Sequence, residues 1–547
     1  MDGYTPWPDD LARQYEKAGY WQGLTLGEAL AGWAEGFGAR TALVAGDGRL
    51  TYCQLADAID SLAAGLLDHG LGPGARVVVQ LPNGADFVIL LGALQRIGAV
   101  PVMALPAHRR REISHFVDIA EATALVIPES EEESDYRRMA TAVAAEFPAL
   151  RLILSGGAGD REWPGIAALA RVAGPARLKS IRQRLAGLAI DPALPALFLL
   201  SGGTTGLPKL IPRTGNDYGY NYRACAAASG VGPDTVYMVS LPAAHNFPLA
   251  CPGILGVLAA GGRVVMAPSP RPEVALPLIA RERITMTAVV PAIAIRWMER
   301  AADIGADLST LSLLQVGGAR LNPEAARRIR PTLGCTLQQV FGMAEGLICM
   351  TRPDDPEEII VNTQGRPVSK GDEIRIVDAA DKPLPPGMAG ELLTRGPYTI
   401  CGYFRAADHN RRAFTGDGHY RSGDIVVADG AGNLSVAGRL KDMINRGGEK
   451  ISAEEIENLM LAHPAIVNAA AIAMPDALLG ERICACVELR PGQSLDLNAL
   501  VAFMETAEIA RFKLPERLEI YPALPLTTIG KIDKKTLRRD IAEKPER

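Results

Sequence analysis

Ser201-Gly202-Gly203-Thr204-Thr205-Gly206-Leu207-Pro208-Lys209 is the stretch on which the interpretation of the whole chain depends. The apolar run 196–200 leads into it and has the length and composition of a buried strand. Glycines let backbone N–H groups approach an anion closely, and the hydroxyls and the lysine add donors and a positive charge. This composition predicts a polyphosphate cradle, although ordinary surface loops also have it. It is not a Walker A loop, because Leu207 and Pro208 separate the last glycine from Lys209 and no Ser or Thr follows.

Length and composition limit the class of protein. A chain of 547 residues is too long for one hydrophobic core, so we expect two or more domains. Hydrophobic residues make up 48% and charged residues 22%, as in folded globular proteins. The net charge of -5 argues against a nucleic-acid partner. No apolar stretch is long enough for a membrane span, and the acidic N-terminal region does not resemble a signal peptide.

The eight cysteines are scattered, and Cys484 and Cys486 are too close for an ordinary disulfide. The seven histidines show no HExxH spacing. We therefore expect a reduced, cytoplasmic protein with no zinc site and no membrane partner.

The spacing of apolar runs predicts an α/β fold. Short apolar runs alternate with amphipathic segments, which favours parallel, doubly wound sheets. The runs that we predict as strands cover residues 76–81, 100–103, 124–127, 237–242, 263–266, 286–290 and 313–319. Beyond about residue 362, short strands punctuated by Pro and Gly predict a small antiparallel barrel or sheet. We predict a large N-terminal domain over residues 1–440 and a small mobile α+β domain over residues 441–547.

Further motifs carry residues suited to nucleotide chemistry. Phe341-Gly342-Met343-Ala344-Glu345-Gly346 offers an aromatic ring that can stack on a base and a carboxylate that can hold Mg²⁺. Tyr420-Arg421-Ser422-Gly423-Asp424 ends in an acid suited to two ribose hydroxyls. Arg439 adds a guanidinium, and Lys531 lies near the end of the chain. Each position alone is as easily explained by a turn residue or a solvated charge.

The order and spacing of these motifs resemble the adenylate-forming superfamily, which includes acyl-CoA synthetases, luciferases and the adenylation domains of nonribosomal peptide synthetases. The matching segments run from Leu50-Thr51-Tyr52 to Gly530-Lys531. Within that superfamily the chain looks most like the stand-alone aryl-acid AMP ligases of siderophore biosynthesis. The segments that carry this closer resemblance are 245–253, 338–346 and 445–450.

The resemblance implies an ATP- and Mg²⁺-dependent enzyme with two half-reactions. An aryl carboxylate attacks the α-phosphate of ATP and gives an aryl-adenylate and pyrophosphate. The phosphopantetheine thiol of an aryl carrier protein then takes the acyl group. Lys531 and His245 are the implied catalytic residues, and Glu345 would hold Mg²⁺. The small domain would rotate about Lys441 between the two steps.

The resemblance also assigns the remaining site residues. The implied ATP-binding positions are Ser201, Gly202, Gly203, Thr204, Thr205, Gly206, Lys209, Gly318, Val340, Phe341, Gly342, Glu345, Asp424 and Arg439. The implied aryl-acid pocket consists of Asn246, Phe247, Cys251, Gly317, Ala319, Leu347 and Ile348. Gly447 and Gly448 would line the approach of the pantetheine arm.

Two positions favour salicylate over 2,3-dihydroxybenzoate. Cys251 stands where the dihydroxybenzoate enzymes tend to carry Ser, and Ile348 stands where they tend to carry Val. A thiol is a weak hydrogen-bond partner and Ile takes more volume, so the pocket should disfavour a second hydroxyl. The dihydroxy acid stays an alternative, as does an aryl-CoA ligase with CoA as acceptor. An amino-acid substrate is disfavoured because no Asp stands in the pocket-forming stretch, and a non-catalytic relative is disfavoured because Glu345, Asp424 and Lys531 are present.

Overall fold

The computed structural model describes residues 1–129, 136–172, 174–201, 208–318, 320–321, 323–378, 380–439, 443–525 and 532–544. A large N-terminal part contains three sheets, and the residues from Met443 onward form a fourth sheet with its own helices. The α/β fold class predicted from the sequence is confirmed.

The strands of the large part are short, as the lengths of the apolar runs predict. In chain order they are β1 (Thr41–Ala45), β2 (Gly48–Thr51), β3 (Arg76–Gln80), β4 (Val100–Ala104), β5 (Ala124–Ile127), β6 (Leu152–Ser155), β7 (Pro195–Leu200), β8 (Leu210–Thr214), β9 (Val236–Val239), β10 (Arg263–Met266), β11 (Met286–Val289), β12 (Leu313–Gly317), β13 (Thr336–Gly342), β14 (Ile348–Met350), β15 (Arg366–Pro367), β16 (Glu373–Val377), β17 (Gly390–Arg395), β18 (Tyr420–Ala428) and β19 (Leu434–Arg439).

Helices connect most of these strands. They are α1 (Asp9–Lys17), α2 (Leu26–Phe37), α3 (Tyr52–Asp68), α4 (Ala85–Arg96), α5 (Arg110–Ala120), α6 (Tyr136–Glu146), α7 (Ile166–Leu169), α8 (Pro175–Ala186), α9 (Gly215–Ala228), α10 (Asn246–Ala250), α11 (Gly253–Ala259), α12 (Pro272–Glu282), α13 (Pro291–Ile304), α14 (Pro323–Leu333), α15 (Glu357–Asn362) and α16 (Ala407–Ala413).

Two mostly parallel sheets share the main core. The six-stranded sheet has the order β6-β5-β3-β4-β7-β8, and only its β7–β8 pair is antiparallel. The nine-stranded sheet has the order β15-β14-β13-β12-β11-β9-β10-β1-β2, with a parallel centre from β13 to β1. Helices α3 and α4 bury one core with residues of both sheets, which include Val77 and Val264. Because the strands of these sheets are buried on both faces, their sequences are continuously apolar and do not alternate between apolar and polar residues.

A third sheet forms from residues 373–439. It is antiparallel, in the order β16-β17-β18-β19, and constitutes the small antiparallel unit that the Pro- and Gly-punctuated sequence predicts. Its buried side chains, which include Leu392 and Val426, join the main core. The third sheet therefore packs against the core shared by the two parallel sheets.

The C-terminal part has its own sheet and two small cores. Its elements are β20 (Met443–Arg446), β21 (Glu449–Ser452), α17 (Ala453–Leu461), β22 (Ile466–Asp476), β23 (Gly480–Leu489), α18 (Leu497–Glu505), a 3₁₀-helix (Arg511–Lys513), β24 (Arg517–Tyr521) and α19 (Lys534–Glu543). The strand order is β21-β20-β23-β22, with β24 parallel to β23. The predicted boundary at residues 440–442 lies outside the described residues.

Two further expectations concern the chemistry of the chain. All eight cysteines are free thiols, and seven of them are at least partly buried. Within the described ranges, each helix is too short or too polar to cross a bilayer.

Candidate active site

A cavity of about 920 Å³ lies where strands of both parallel sheets end. Its walls include residues that follow β4, β7, β9, β11, β12 and β13 within two positions of the strand end. Ligands of open parallel sheets bind just beyond the carboxyl ends of strands, so this cavity is the candidate active site. The predicted site residues that line it are Ser201, Lys209, His245, Asn246, Phe247, Cys251, Gly318, Val340, Gly342, Glu345, Ile348, Asp424, Gly447 and Gly448.

The structure does not bring every predicted residue to this cavity. Gly202, Gly203, Thr204, Thr205, Gly206, Ala319, Lys441 and Lys531 lie outside the described residues. Of Arg439 only the backbone is described, and it pairs with Asp424 across β18 and β19.

Three predicted residues are described but lie away from the cavity wall. Leu347 is fully buried in the main core, and Phe341 packs half-buried against the same core. Gly317 lies behind the ring of Phe247, where a Cβ atom would be 3.1 Å from the ring carbons. Gly317 therefore leaves room for a pocket residue and does not itself line the cavity.

The two ends of the glycine-rich stretch are joined by hydrogen bonds. The backbone N–H of Ser201 donates to the carbonyl of Lys209 at 2.9 Å, and the N–H of Lys209 donates to Ser201 Oγ at 3.0 Å. Lys209 is buried, and its Nζ lies 5.8 Å from the centre of the Tyr403 ring. The base of the predicted cradle is thus closed, with the lysine on the cavity wall.

Glu345 presents one carboxylate oxygen to the cavity. The Tyr403 hydroxyl donates to Glu345 Oε1 at 2.7 Å and lies 2.9 Å from the Tyr420 hydroxyl. Burial, with the charge of Glu345, raises the pKa of Tyr403 well above its ordinary value, so this hydroxyl keeps its proton and donates. No donor of the described residues reaches Oε2. A single hard oxygen of this kind suits Mg²⁺, which usually takes one or two carboxylates together with substrate phosphates.

Asp424 is placed by a short bend in β18. Its N–H donates to Ser422 Oγ at 3.0 Å, and Gly423 has a φ of 70°, which favours glycine. The Asp424 residue is 4% exposed and lines the same cavity as Glu345. The two acids therefore face one compartment from different sheets.

The aryl pocket predicted from the sequence is an apolar recess beside α10. Cys251 and Ile348 are buried in one cluster with Val340, and the ring of Phe247 packs against them. The polar group at its edge is Asn246, whose Nδ2 lies 3.4 Å from Cys251 Sγ. The recess thus combines apolar walls with one amide at its edge, which fits an aromatic acid.

The C-terminal part closes one side of the cavity through the hairpin β20–β21. The Asn445 side chain donates to the carbonyl of Gly318 at 3.1 Å, across the two parts. His245 Nε2 lies 3.0 Å from Glu449 Oε1. Burial alone lowers the pKa of His245, but the charge and hydrogen bond of Glu449 outweigh it and raise this pKa. The hairpin turn at Gly447 and Gly448 is thereby held against the cavity.

Sequence reasoning missed several residues of this site. Tyr218 donates to Asn246 Oδ1 at 2.9 Å, and Tyr403 orients Glu345. Lys513 of the C-terminal part lies on the cavity wall with Glu455. Tyrosines and charges on amphipathic segments carry no local signal that distinguishes such contacts, because their partners are far away in sequence.

The described residues on either side of the undescribed segment 526–531 pack within the C-terminal part. Leu524 and Ile532 belong to a small core of the C-terminal part that also contains Ile472 and Leu537. The described residues from 517 to 544 do not line the cavity. In this orientation the C-terminal part presents the β20–β21 hairpin to the site.

Two family models match the chain. The model described as AMP-binding enzyme matches residues 30–404, and the model of the AMP-binding enzyme C-terminal domain matches residues 455–531. The first covers more than half of the chain. The chain therefore belongs to the family of AMP-binding enzymes.

Curated relatives are similar over nearly the full length. A salicylyl-CoA synthase / salicylate adenylyltransferase from a Streptomyces species is 53% identical over 98% of this chain and 97% of its own length. The 2,3-dihydroxybenzoate-AMP ligase of Bacillus subtilis is 48% identical over 100% of this chain and 98% of its own length. A salicyl-AMP ligase / salicyl-S-ArCP synthetase of Mycobacterium tuberculosis is 46% identical over 99% of this chain and 95% of its own length.

A solved structure has the same fold. The apo structure of MbtA from Mycobacterium smegmatis is 46% identical, covers 98% of both chains and superposes with a TM-score of 0.75.

Proposed function

We propose that this enzyme activates salicylate with ATP as salicyl-AMP, releases pyrophosphate, and transfers the acyl group to a phosphopantetheine thiol. The observation that carries the proposal is the apolar recess of Phe247, Cys251 and Ile348 with the amide of Asn246 at its edge. This recess opens into the same cavity as Glu345 and Asp424. The names of the relatives support an aryl acid as substrate.

The first half-reaction brings two anions together, so the site must neutralise charge in the transition state. Lys209 and the hydroxyls of the glycine-rich stretch bind the β- and γ-phosphates, and Asp424 binds the ribose hydroxyls with help from Arg439. Glu345, held by Tyr403, would hold Mg²⁺, which when bound would supply positive charge to the phosphates. Lys531 bridges the carboxylate and the α-phosphate. Losing a donor with this role typically lowers the rate by about 10² to 10³.

The second half-reaction needs the hairpin orientation described above. Gly447 and Gly448 lie on the cavity wall, where side chains would narrow the path of a pantetheine arm. The pair of His245 and Glu449 keeps the histidine turned toward the C-terminal part. We propose that the C-terminal part rotates about Lys441, so that the segment that carries Lys531 faces the cavity in the first half-reaction and the hairpin faces it in the second.

Salicylate is favoured over 2,3-dihydroxybenzoate by the thiol at position 251. Cys251 Sγ lies 3.5 Å from the carbonyl of its neighbour Asn246, to which it donates, and is 3.4 Å from the amide of the same residue. A thiol engaged in this way is a poor partner for a second ring hydroxyl. The dihydroxy acid is the second candidate, because the relative from Bacillus subtilis bears its name.

The thiol acceptor has two candidates. The name of the Mycobacterium tuberculosis relative supports a carrier protein, whereas that of the Streptomyces relative favours CoA. Both acceptors present the same phosphopantetheine thiol to the cavity.

One experiment tests the activity and the acceptor together. The purified enzyme is incubated with salicylate, ATP and Mg²⁺, and the products are analysed by mass spectrometry without acceptor, with CoA, or with a phosphopantetheinylated aryl carrier protein. We expect salicyl-AMP in the first reaction and salicyl thioester on the carrier protein in the third. Formation of ADP without any adenylate would refute the proposed function. Acylation of CoA but not of the carrier protein would show that CoA is the acceptor.

A further inference from the structure

Tyr218 fixes the orientation of the Asn246 amide. Tyr218 lies on α9 with no exposed surface, and its hydroxyl is 2.9 Å from Asn246 Oδ1. Burial raises the pKa of Tyr218 well above its ordinary value, so the hydroxyl is protonated and donates. A donor that faces Oδ1 turns the NH₂ group of the amide to the opposite side. There Nδ2 reaches Cys251 Sγ, the one acceptor that the described residues offer it.

The Tyr218 ring is held rigidly from behind. The guanidinium of Arg213 lies 4.7 Å from the centre of this ring. Arg213 is fully buried and donates to Asp217 Oδ1 at 2.6 Å and to the carbonyl of Ala344 at 2.9 Å. Asp217 is itself fixed by the capping box that it forms with Thr214 at the start of α9. The hydroxyl therefore has little freedom to leave Asn246.

The chemistry of an ortho-hydroxy acid makes the amide orientation matter. In salicylate the phenolic hydrogen is donated to the molecule's own carboxylate. Both polar groups then present lone pairs outward, and their partner in the protein must be a donor. An amide NH₂ supplies donors, whereas a flipped amide would place its carbonyl oxygen against two acceptors.

We propose that Tyr218 is a positioning residue for substrate selection, which makes the enzyme prefer acids with an acceptor oxygen ortho to the carboxylate. This inference rests on the proposed function. It predicts that the wild-type enzyme discriminates by at least about tenfold in kcat/KM against benzoate, which lacks the ortho oxygen. It predicts the same against 2-aminobenzoate, whose ortho nitrogen offers hydrogens in place of an acceptor.

The test compares three acids in ATP–pyrophosphate exchange. Tyr218→Phe removes the hydroxyl and lets the amide of Asn246 rotate. We expect the ratio of kcat/KM for salicylate over 2-aminobenzoate to fall about tenfold, chiefly through a higher KM for salicylate, while the KM for ATP is unchanged. Tyr220→Phe is the matched control on the same helix, because its hydroxyl contacts Ser369 Oγ at 2.8 Å. This control should retain the wild-type ratio.

The outcomes separate this inference from the function on which it rests. An unchanged ratio in Tyr218→Phe, or an equal loss for all three acids, would overturn the positioning role while the proposed function stands. If the variant does not fold, the wild-type enzyme still tests the inference. Equal kcat/KM for salicylate and 2-aminobenzoate would refute the claim that the NH₂ group of Asn246 faces the substrate. Absence of exchange with every aryl acid in the wild-type enzyme would refute the proposed function, and the inference with it.

Discussion

Cys251 and Ile348 set the size and polarity of the recess for the aromatic ring. Both are buried, at 3% and 1% exposure, in contact with the same small cluster. Cys251→Ser combined with Ile348→Val adds a stronger hydrogen-bond partner and removes one methylene. We expect the ratio of kcat/KM for 2,3-dihydroxybenzoate over salicylate to rise about tenfold, since such a change in an apolar pocket is worth about 1–3 kcal/mol. Exchange assays with both acids measure this ratio.

A matched control tests whether the change in the substrate ratio comes from the pocket or from burying a hydroxyl anywhere in the protein. Cys335 is also buried, at 2% exposure, but belongs to the second core of the large part. Cys335→Ser should leave the substrate ratio at its wild-type value. A double pocket variant that keeps the wild-type ratio would show that these two positions do not select the acid.

Asp372 makes stability depend on pH. Its Oδ1 is buried with no hydrogen-bond partner among the described residues, and its Oδ2 accepts from the Tyr398 hydroxyl at 2.6 Å. Burial raises the pKa of Asp372 to about 8. Between about pH 4 and pH 8 the folded protein holds this proton and the unfolded chain does not. The free energy of unfolding should therefore fall as pH rises through this window, by up to about 1.4 kcal/mol per unit.

Asp372→Asn tests this account because it mimics the protonated acid at every pH. Denaturant unfolding at several pH values should show a flatter dependence for the variant between pH 4 and pH 8. An identical slope in both proteins would mean that Asp372 does not hold the proton.

The hairpin β20–β21 depends on two glycines in its turn. Gly447 and Gly448 have φ values of 58° and 94°, and a Cβ on Gly448 would lie 2.6 Å from Val290 Cγ1. Gly448→Ala should push the hairpin away from the cavity. We expect thioester formation to slow at least about tenfold while pyrophosphate exchange stays near the wild-type rate. Single-turnover transfer from isolated salicyl-AMP and the exchange assay measure the two steps.

Gly492→Ala serves as the control for the hairpin prediction. Gly492 also has a positive φ, of 77°, but a Cβ atom added there would have no described atom within 4 Å, so the two variants share only the backbone strain. This variant should transfer at the wild-type rate. Parallel loss of both half-reactions in Gly448→Ala would contradict a role confined to the hairpin.

Most elements were predictable from the sequence because the buried strands are uniformly apolar. The strands predicted at 124–127 and 263–266 match β5 and β10 residue for residue. The strand predicted at 237–242 ends three residues early, at Val239, because Leu241 and Pro242 already belong to the cavity wall. Past a strand end, apolar residues that line a cavity look the same in sequence as those inside a sheet.

The placement of Glu345, Asp424 and Asn246 on the cavity wall was predictable because they lie in motifs whose order and spacing resemble a known superfamily. Orienting residues such as Tyr218 on α9 and Tyr403 in the segment before α16 were not predictable, since the burial of each ring already explains its presence. Tyr218 and Asn246 are 28 positions apart, and Tyr403 and Glu345 are 58 apart. Such pairs require knowledge of the packing.

At the scale of the whole molecule, a buried group of charges joins the two parts. Lys513 Nζ lies 3.2 Å from Glu112 Oε1 of α5 and 3.0 Å from Glu455 Oε1, and all three side chains are at most 5% exposed. Glu112 Oε1 also accepts from the N–H of Ala510. In the rotation proposed above, Glu455 moves with Lys513, whereas Glu112 Oε1 loses both donors. Glu112 Oε2 accepts from the N–H of Arg109 in the capping box of α5, a contact inside the large part, so Oε1 is the atom that stabilises the orientation described above.

Glu112→Ala should slow the second half-reaction and leave the first nearly unchanged. Glu455 still pairs with Lys513 in this variant, so the loss is smaller than for a buried charge left alone: transfer to the thiol should slow about tenfold, with pyrophosphate exchange within about twofold of wild type. Glu146→Ala is the control, because its contacts with Arg110 and Ser114 lie at the surface of the large part. Equal loss of exchange and transfer in Glu112→Ala would contradict this role. The sequence could not predict the contact, since Glu112 and Lys513 are 401 positions apart.

The central claim is that this enzyme forms an adenylate from an ortho-hydroxy aryl acid. ATP–pyrophosphate exchange with salicylate, 2,3-dihydroxybenzoate, benzoate and an amino-acid mixture tests it most directly. We predict Mg²⁺-dependent exchange with the highest kcat/KM for salicylate, a lower value for the dihydroxy acid, and background rates with the amino acids. Exchange that depends on an amino acid, or no exchange with either hydroxy acid, would contradict the account.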